Sequence, residues 1–213
     1  MSSKTWTAIT TLSFGVALIG FSTTTAFGVG EVTCGGRTAT ITSNAEVIYG
    51  TSGNDVIVAT NDASHTIFGY AGNDLICGGD GIDVIWLGDG NDIAYGGGGG
   101  DVIYGGYGDD SIFGEEGNDY LLGQSAHDTI RGGAGNDVID GGTYGDRIYG
   151  DDGRDLLDGF SGADEIRGGS GNDDLYGGAG NDVLFGEAGN DRLFGESGKD
   201  LLRDTDGRNS LTQ

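Results

Sequence analysis

Aspartate recurs at every ninth position over most of this chain: Asp74, Asp83, Asp92, Asp101, Asp110, Asp119, Asp128, Asp137, Asp146, Asp155, Asp164, Asp173, Asp182, Asp191 and Asp200 follow one another without a slip. A glycine-rich hexapeptide ends on each, as in GGDGID, GGGGGD, GGAGND, GGSGND and GEAGND, and an aliphatic residue stands two positions later, from Ile76 to Leu202, with Ala94 the one small member. Carboxylates are hard oxygen donors, and glycine turns can aim main-chain carbonyls at the same point. The chemistry on offer is capture of a hard dication. Calcium takes about six to eight oxygens at roughly 2.3–2.6 Å in tolerant geometry, whereas magnesium demands a tighter octahedron and parts reluctantly with its water.

The period also dictates what must position these groups. Nine residues divide into a six-residue turn and a three-residue extended piece. Within that piece the middle side chain faces opposite to its neighbours, so the Ile/Leu column points inward. Two such units make an 18-residue coil whose aliphatic columns face each other across a thin core, with the turns stacked in two rows. Coils stack at about 4.8 Å, so about eight of them give a rod of roughly 38 Å. Aspartates of alternate repeats, such as Asp119 and Asp137, then lie one above the other. Bare carboxylates at about 5 Å repel by several kcal/mol when partly buried, and a dication between them reverses the sign.

Composition agrees with that reading and excludes others. The 213 residues include 47 Gly, no Pro and a net charge of −24. Without counter-ions such a chain repels itself and has the profile of a disordered segment, yet its apolar residues keep register with the aspartates. Every phosphate contact would be repulsive, which excludes nucleic acid and anionic lipid as partners. About thirteen or fourteen shared dications would bring roughly +26 to +28 by the dication count, nearly cancelling the chain's −24.

The N-terminal residues differ. Lys4 precedes a weakly apolar run from Leu12 to Phe21, followed by small residues through Gly30. Residues 1–28 are expected to be a secretory signal peptide, the run being roughly ten residues against the ~20 of a membrane-spanning helix. Two cysteines follow, Cys34 and Cys77. In an exported protein an even pair is most simply a disulfide, the alternative being two small unpaired hydrophobes.

At this point a resemblance is plain: the G-G-x-G-x-D-x-U-x pattern resembles the calcium-binding nonapeptide of RTX proteins. It runs through residues 66–203, and EVIYGTSGNDVIV at 46–58 looks like one further repeat. The resemblance implies an all-β, right-handed parallel β-roll over 46–204; residues 29–45 are expected to form an N-terminal cap on its first coils and 205–213 a polar tail. It further implies calcium ligands at Asp55 and at the fifteen periodic aspartates except Asp128, together with turn carbonyls such as those of Gly78, Gly96, Gly105, Gly132, Gly168 and Gly177. DLICGGDG, ending at Gly81, is similar to a turn that pairs with an early cysteine in small secreted RTX-like proteins, which implies a Cys34–Cys77 bond.

Some stretches depart from the pattern. GQSAHD at 123–128 has lost two glycines and GGTYGD at 141–146 has one displaced, so these sites are expected to be weakest or empty. Between Ile57 and Ile67 the spacing is ten residues, and ATNDASH has no aspartate in register. Outward positions are apolar in the N-terminal half. Val84, Trp86, Val102, Tyr104, Tyr120 and Leu122 form a candidate partner-binding patch on one sheet, and Leu75, Cys77, Ile93, Tyr95 and Phe113 cluster on the other.

Nothing in the sequence assembles a catalytic site. His65 and His127 read as substituted turn residues, and the strict period gives the carboxylates a structural reason to be present. The leading expectation is a secreted calcium-binding β-roll that folds on calcium and serves as an extracellular structural or adhesion module. The alternatives are an accessory domain of a secreted hydrolase or toxin system, and an ice-binding surface, for which Thr129 stands nearly alone among outward strand positions.

Overall fold

The computed structural model describes residues 32–204 and the backbone of 210–212. The proposed signal peptide, the first residues of the 29–45 segment and most of the 205–213 segment lie outside the described residues.

The described chain is a parallel β-solenoid. One ladder runs through Ile41–Ser43, Val56–Ala59, Leu75–Gly79, Ile93–Gly98, Ser111–Glu116 and Thr129–Ala134, and continues to Leu201–Arg203. The facing ladder runs through Val47–Tyr49, Thr66–Ala71, Val84–Asp89, Val102–Tyr107 and Tyr120–Ser125 to Ser210–Thr212. From Thr66 onward each residue pairs with the one eighteen positions later, as in Ile103 with Leu121 and Ile112 with Ile130. This follows from two nine-residue units per coil. Stacked outward rings report the coil spacing directly: the centroids of Phe68 and Trp86 are 4.8 Å apart and those of Trp86 and Tyr104 are 5.3 Å apart.

The core is the predicted column. Ile67, Ile76, Ile85, Ala94, Ile103, Ile112, Leu121, Ile130 and their successors to Leu193 are fully buried in one cluster. Leu87 joins it unexpectedly, standing where other turns begin with glycine. Its extra volume enters the core in the coil whose column residue is the small Ala94. Added volume in a coil with a small column residue keeps the packing filled.

Three features differ from the sequence-based expectation. Many strands span six residues, such as Val102–Tyr107, where three were expected, because the opening residues of each turn also pair between coils. The first ladder starts inside the segment taken as a cap, with Ile41–Ser43 pairing Val56–Ala59. At the other end Ser210–Thr212 pairs with Arg192–Phe194, so sheet continues into the segment taken as a tail. The extra residue between Ile57 and Ile67 is absorbed in the turn: Val58 pairs with Cys77 at an offset of nineteen, and His65 meets Asp83 at eighteen.

Ahead of the first ladder, Thr33–Cys34 and Arg37–Thr38 form an antiparallel pair lying on the outer face of one sheet, where Cys34 buries with Val56, Val58 and Leu75. Cys34 and Cys77 form a disulfide with Cα atoms 5.9 Å apart, as the resemblance implied. The opposite sheet carries Tyr49, Phe68, Trp86 and Tyr104 as a continuous outward stack.

Candidate metal centre

Every periodic aspartate from Asp74 to Asp191 is buried, at most 2 % exposed, along two columns inside the turns. Each carboxylate is held by the coil before it. The backbone N–H of Asp74 donates to Asp92 Oδ1, that of Asp101 to Asp119 Oδ1 and that of Asp146 to Asp164 Oδ1, and the pattern repeats along both columns at 2.7–2.9 Å. The sequence gives no hint of this ladder, because the spacing brings the aspartates together without saying which atom faces which. Outside it runs a second ladder of amides, in which Asn136 N–H donates to Asn118 Oδ1 and Asn190 N–H to Asn172 Oδ1. This explains the asparagine that so often precedes the aspartate.

With Oδ1 occupied, Oδ2 decides the chemistry. From Asp74 to Asp182 this oxygen is buried and has no hydrogen-bond partner. A buried carboxylate oxygen left in that state is costly, and a run of them identifies an acceptor set waiting for a cation. The glycine opening each turn supplies the space. A Cβ built on Gly78 would stand 2.5 Å from Asp83 Oδ2 and 2.6 Å from the Gly96 carbonyl, one coil on. The same cradle recurs at Gly96, Gly105, Gly132, Gly168 and Gly177, with Oδ2 at 2.2–2.7 Å and the next coil's carbonyl at 2.5–2.9 Å from the Cβ position. All six glycines singled out from the sequence therefore line the space between an aspartate and a carbonyl.

The second turn glycine has another reason to be there. Gly106 has φ +115°, and a Cβ on it would lie 2.1 Å from the Gly88 carbonyl. Where a side chain occupies this position the backbone shifts into the left-handed region, at φ 79° for Tyr70, 76° for Gln124 and 64° for Phe160. Such a conformation costs an L-residue roughly 1–2 kcal/mol. The GQSAHD turn carries two, at Gln124 and Ala126 (φ 87°), and GGTYGD carries one at Tyr144 (φ 80°). Asp128 and Asp146 nevertheless keep their places, each with Oδ1 bonded and Oδ2 buried without a partner. Asp128, left out of the predicted ligands, is placed like the rest.

Burial acts on the charge as well. Desolvation raises every one of these carboxyls for which a direction is resolved, the amide bond to Oδ1 offsets it in part, and for most a stacked neighbour's charge raises it further. Asp110 and Asp146 are pushed up to about 8. Asp101, Asp155 and Asp164 reach about 7, and Asp74, Asp128, Asp137 and Asp173 about 6. Among the described residues no three His, Cys, Asp or Glu side chains converge on one point. A cation between coils must therefore draw on main-chain oxygens as well as carboxylates, which is the donor set the cradles provide and one suited to calcium.

The repeat matches a family model described as the RTX calcium-binding nonapeptide repeat, over residues 40–63, 66–85, 86–121, 113–143, 122–157, 140–175 and 167–202. The chain belongs to the RTX calcium-binding nonapeptide-repeat family. Repeats of this family bind calcium in structural β-rolls. No curated protein matches the chain.

Within this RTX roll three positions depart from the repeated site. Asp55 is satisfied locally: its Oδ2 accepts from Thr51 N–H at 2.7 Å and Thr51 Oγ1 at 2.8 Å, and its Oδ1 lies 3.4 Å from Thr40 Oγ1. His65 stands where the column calls for aspartate, with its N–H 2.6 Å and its Nδ1 3.1 Å from Asp83 Oδ1. At Asp92 the cradle position holds the Leu87 side chain. The replaced glycine was legible in LGDGND, but its consequence was not. His127, by contrast, is exposed in the asparagine position of its turn, and its N–H donates to Asp109 Oδ1.

Proposed function

We propose that this protein is a secreted calcium-binding β-roll that folds when calcium enters its turns and then serves outside the cell as a stiff structural or adhesive module, without catalysing a reaction. The observation that carries the reading is the run of buried, unpartnered Asp Oδ2 atoms, most of them facing a glycine cradle and a carbonyl of the next coil. The proposed ligands are Asp55 and the periodic aspartates from Asp74 to Asp200, Asp128 included, with the carbonyls of the cradle glycines; Asp55 and Asp92 are the weakest members of the set. At the roughly 10⁻⁴ to 10⁻³ M affinities of extracellular modules, the chain would stay loose enough for export in the calcium-poor cell and complete its fold outside. The outward strip Val84, Val102, Tyr120 and Trp86, Tyr104, Leu122, aligned in register on the sheet that the hairpin does not cover, is the proposed place for a protein or cell-surface partner.

Circular dichroism of the chain during calcium titration, with magnesium as control, tests the reading. Strand signal should appear with calcium and not with equal magnesium. A roll fully formed in chelator at neutral pH refutes the switch.

A further inference from the structure

The three departures lie together at the N-terminal end, and so do the reinforcements that do not involve a cation. We infer that the first coils, residues 41–95, fold without metal and form a nucleus on which calcium extends the rest of the roll. The inference rests on the calcium-dependent folding proposed above and adds a direction to it.

Two of the departures lower the cost of doing without a cation, and the third adds apolar core. At Asp55 the chain supplies the donors that a cation would otherwise replace, through Thr51 and Thr40. At His65 an imidazole stands in place of a carboxylate, so the first layer of that column lacks the stacked pair of acids, and Asp83 Oδ1 gains contact with Nδ1. At Leu87 a fully buried aliphatic side chain stands at the cradle position and adds to the core, while Asp92 Oδ2 stays buried without a partner. Among these coils Asp74 and Asp83 alone keep the arrangement repeated from Asp101 onward, an Oδ2 without a partner facing an open cradle.

Two compensating features, the disulfide and a second apolar cluster, belong to these coils. The disulfide ties Cys34 to Cys77 across 43 residues. The hairpin it anchors buries Val56, Val58 and Leu75 in a second apolar cluster, with Ile93 and Tyr95 packed against it. On the opposite face Tyr49, Phe68 and Trp86 stack at 5.5 and 4.8 Å. In a solenoid each coil touches only its neighbours, so the first layers bear the cost of closing the chain and later ones add to an existing edge. A nucleus held by a covalent bond and apolar contact presents that edge in Ile93–Gly98. Calcium then needs only to propagate the fold, one layer at a time.

Hydrogen exchange measured by mass spectrometry on the oxidised full chain, in chelator and in saturating calcium at neutral pH, tests this. In chelator, amides of 41–95 should exchange at least about tenfold more slowly than those of 110–200, and calcium should protect the latter. Reducing the disulfide in chelator should remove most of the early protection. If in chelator both regions exchange at the unprotected rate while calcium protects both together, the nucleus is refuted and the calcium switch survives. If 110–200 is as protected in chelator as in calcium, the switch itself fails, and this inference with it. Early protection that is unchanged on reduction overturns the part assigned to the disulfide.

Discussion

Removing calcium should make the stability of this roll fall steeply as pH rises, the reverse of ordinary acid denaturation. The buried aspartates have folded-state pKa values above the ordinary 3.8, so the folded chain holds more protons than the unfolded one between about pH 4 and pH 8. Where the native state binds the extra protons, stability is present in acid and is lost as pH rises through the folded pKa. At 1.36 kcal/mol per unit, a group raised to about 6, such as Asp128 or Asp137, costs about 1.4 kcal/mol between about pH 5 and pH 8. One raised to about 8, such as Asp110 or Asp146, costs about 3.7 kcal/mol over the same range. The shifted carboxyls together exceed the whole 5–15 kcal/mol by which a domain is ordinarily stable. Urea melts in chelator, followed by circular dichroism, should therefore show a folded baseline near pH 5 that is lost outside the N-terminal coils by pH 8. Saturating calcium should restore it, because the ions hold the carboxylates ionised. Equal stability at both pH values in chelator, or greater stability at pH 8, would refute the account of the buried Oδ2 atoms.

Other perturbations follow from single residues. Gly132→Ala places a methyl 2.2 Å from Asp137 Oδ2 and 2.8 Å from the Gly150 carbonyl, so it should raise the calcium midpoint and lower Tm, whereas Gly53→Ala, with nothing nearer than Thr51 Oγ1 at 3.9 Å, should spare the calcium midpoint. Leu87→Gly should cost at least about 2–5 kcal/mol as a core truncation, while opening the cradle at Asp92 to one more calcium countable by elemental analysis. Cys34→Ser with Cys77→Ser should cost about 4 kcal/mol by chain entropy, seen as a lower Tm in calcium. Ala126→Gly relieves a left-handed alanine at φ 87° and should stabilise the loaded roll by about 1 kcal/mol in urea melts.

The nine-residue period alone determines the 18-residue pairing, the inward Ile/Leu column and the stacking of aspartates, because strand alternation and the spacing of neighbouring strands leave a regular repeat little freedom. What the repeat cannot encode is which of its exceptions meet. Only the folded register divides each carboxylate into a bonded Oδ1 and an open Oδ2. The same register sets His65 under Asp83, Thr51 on Asp55 and Leu87 in the coil of Ala94, and lays the hairpin over one sheet while leaving Trp86 and Tyr104 outward on the other. The His65–Asp83 contact and those of the hairpin join residues of unlike type across one coil or more. They depend on where an inserted residue is absorbed and on which side a short segment folds back, which tertiary packing settles and local pattern does not.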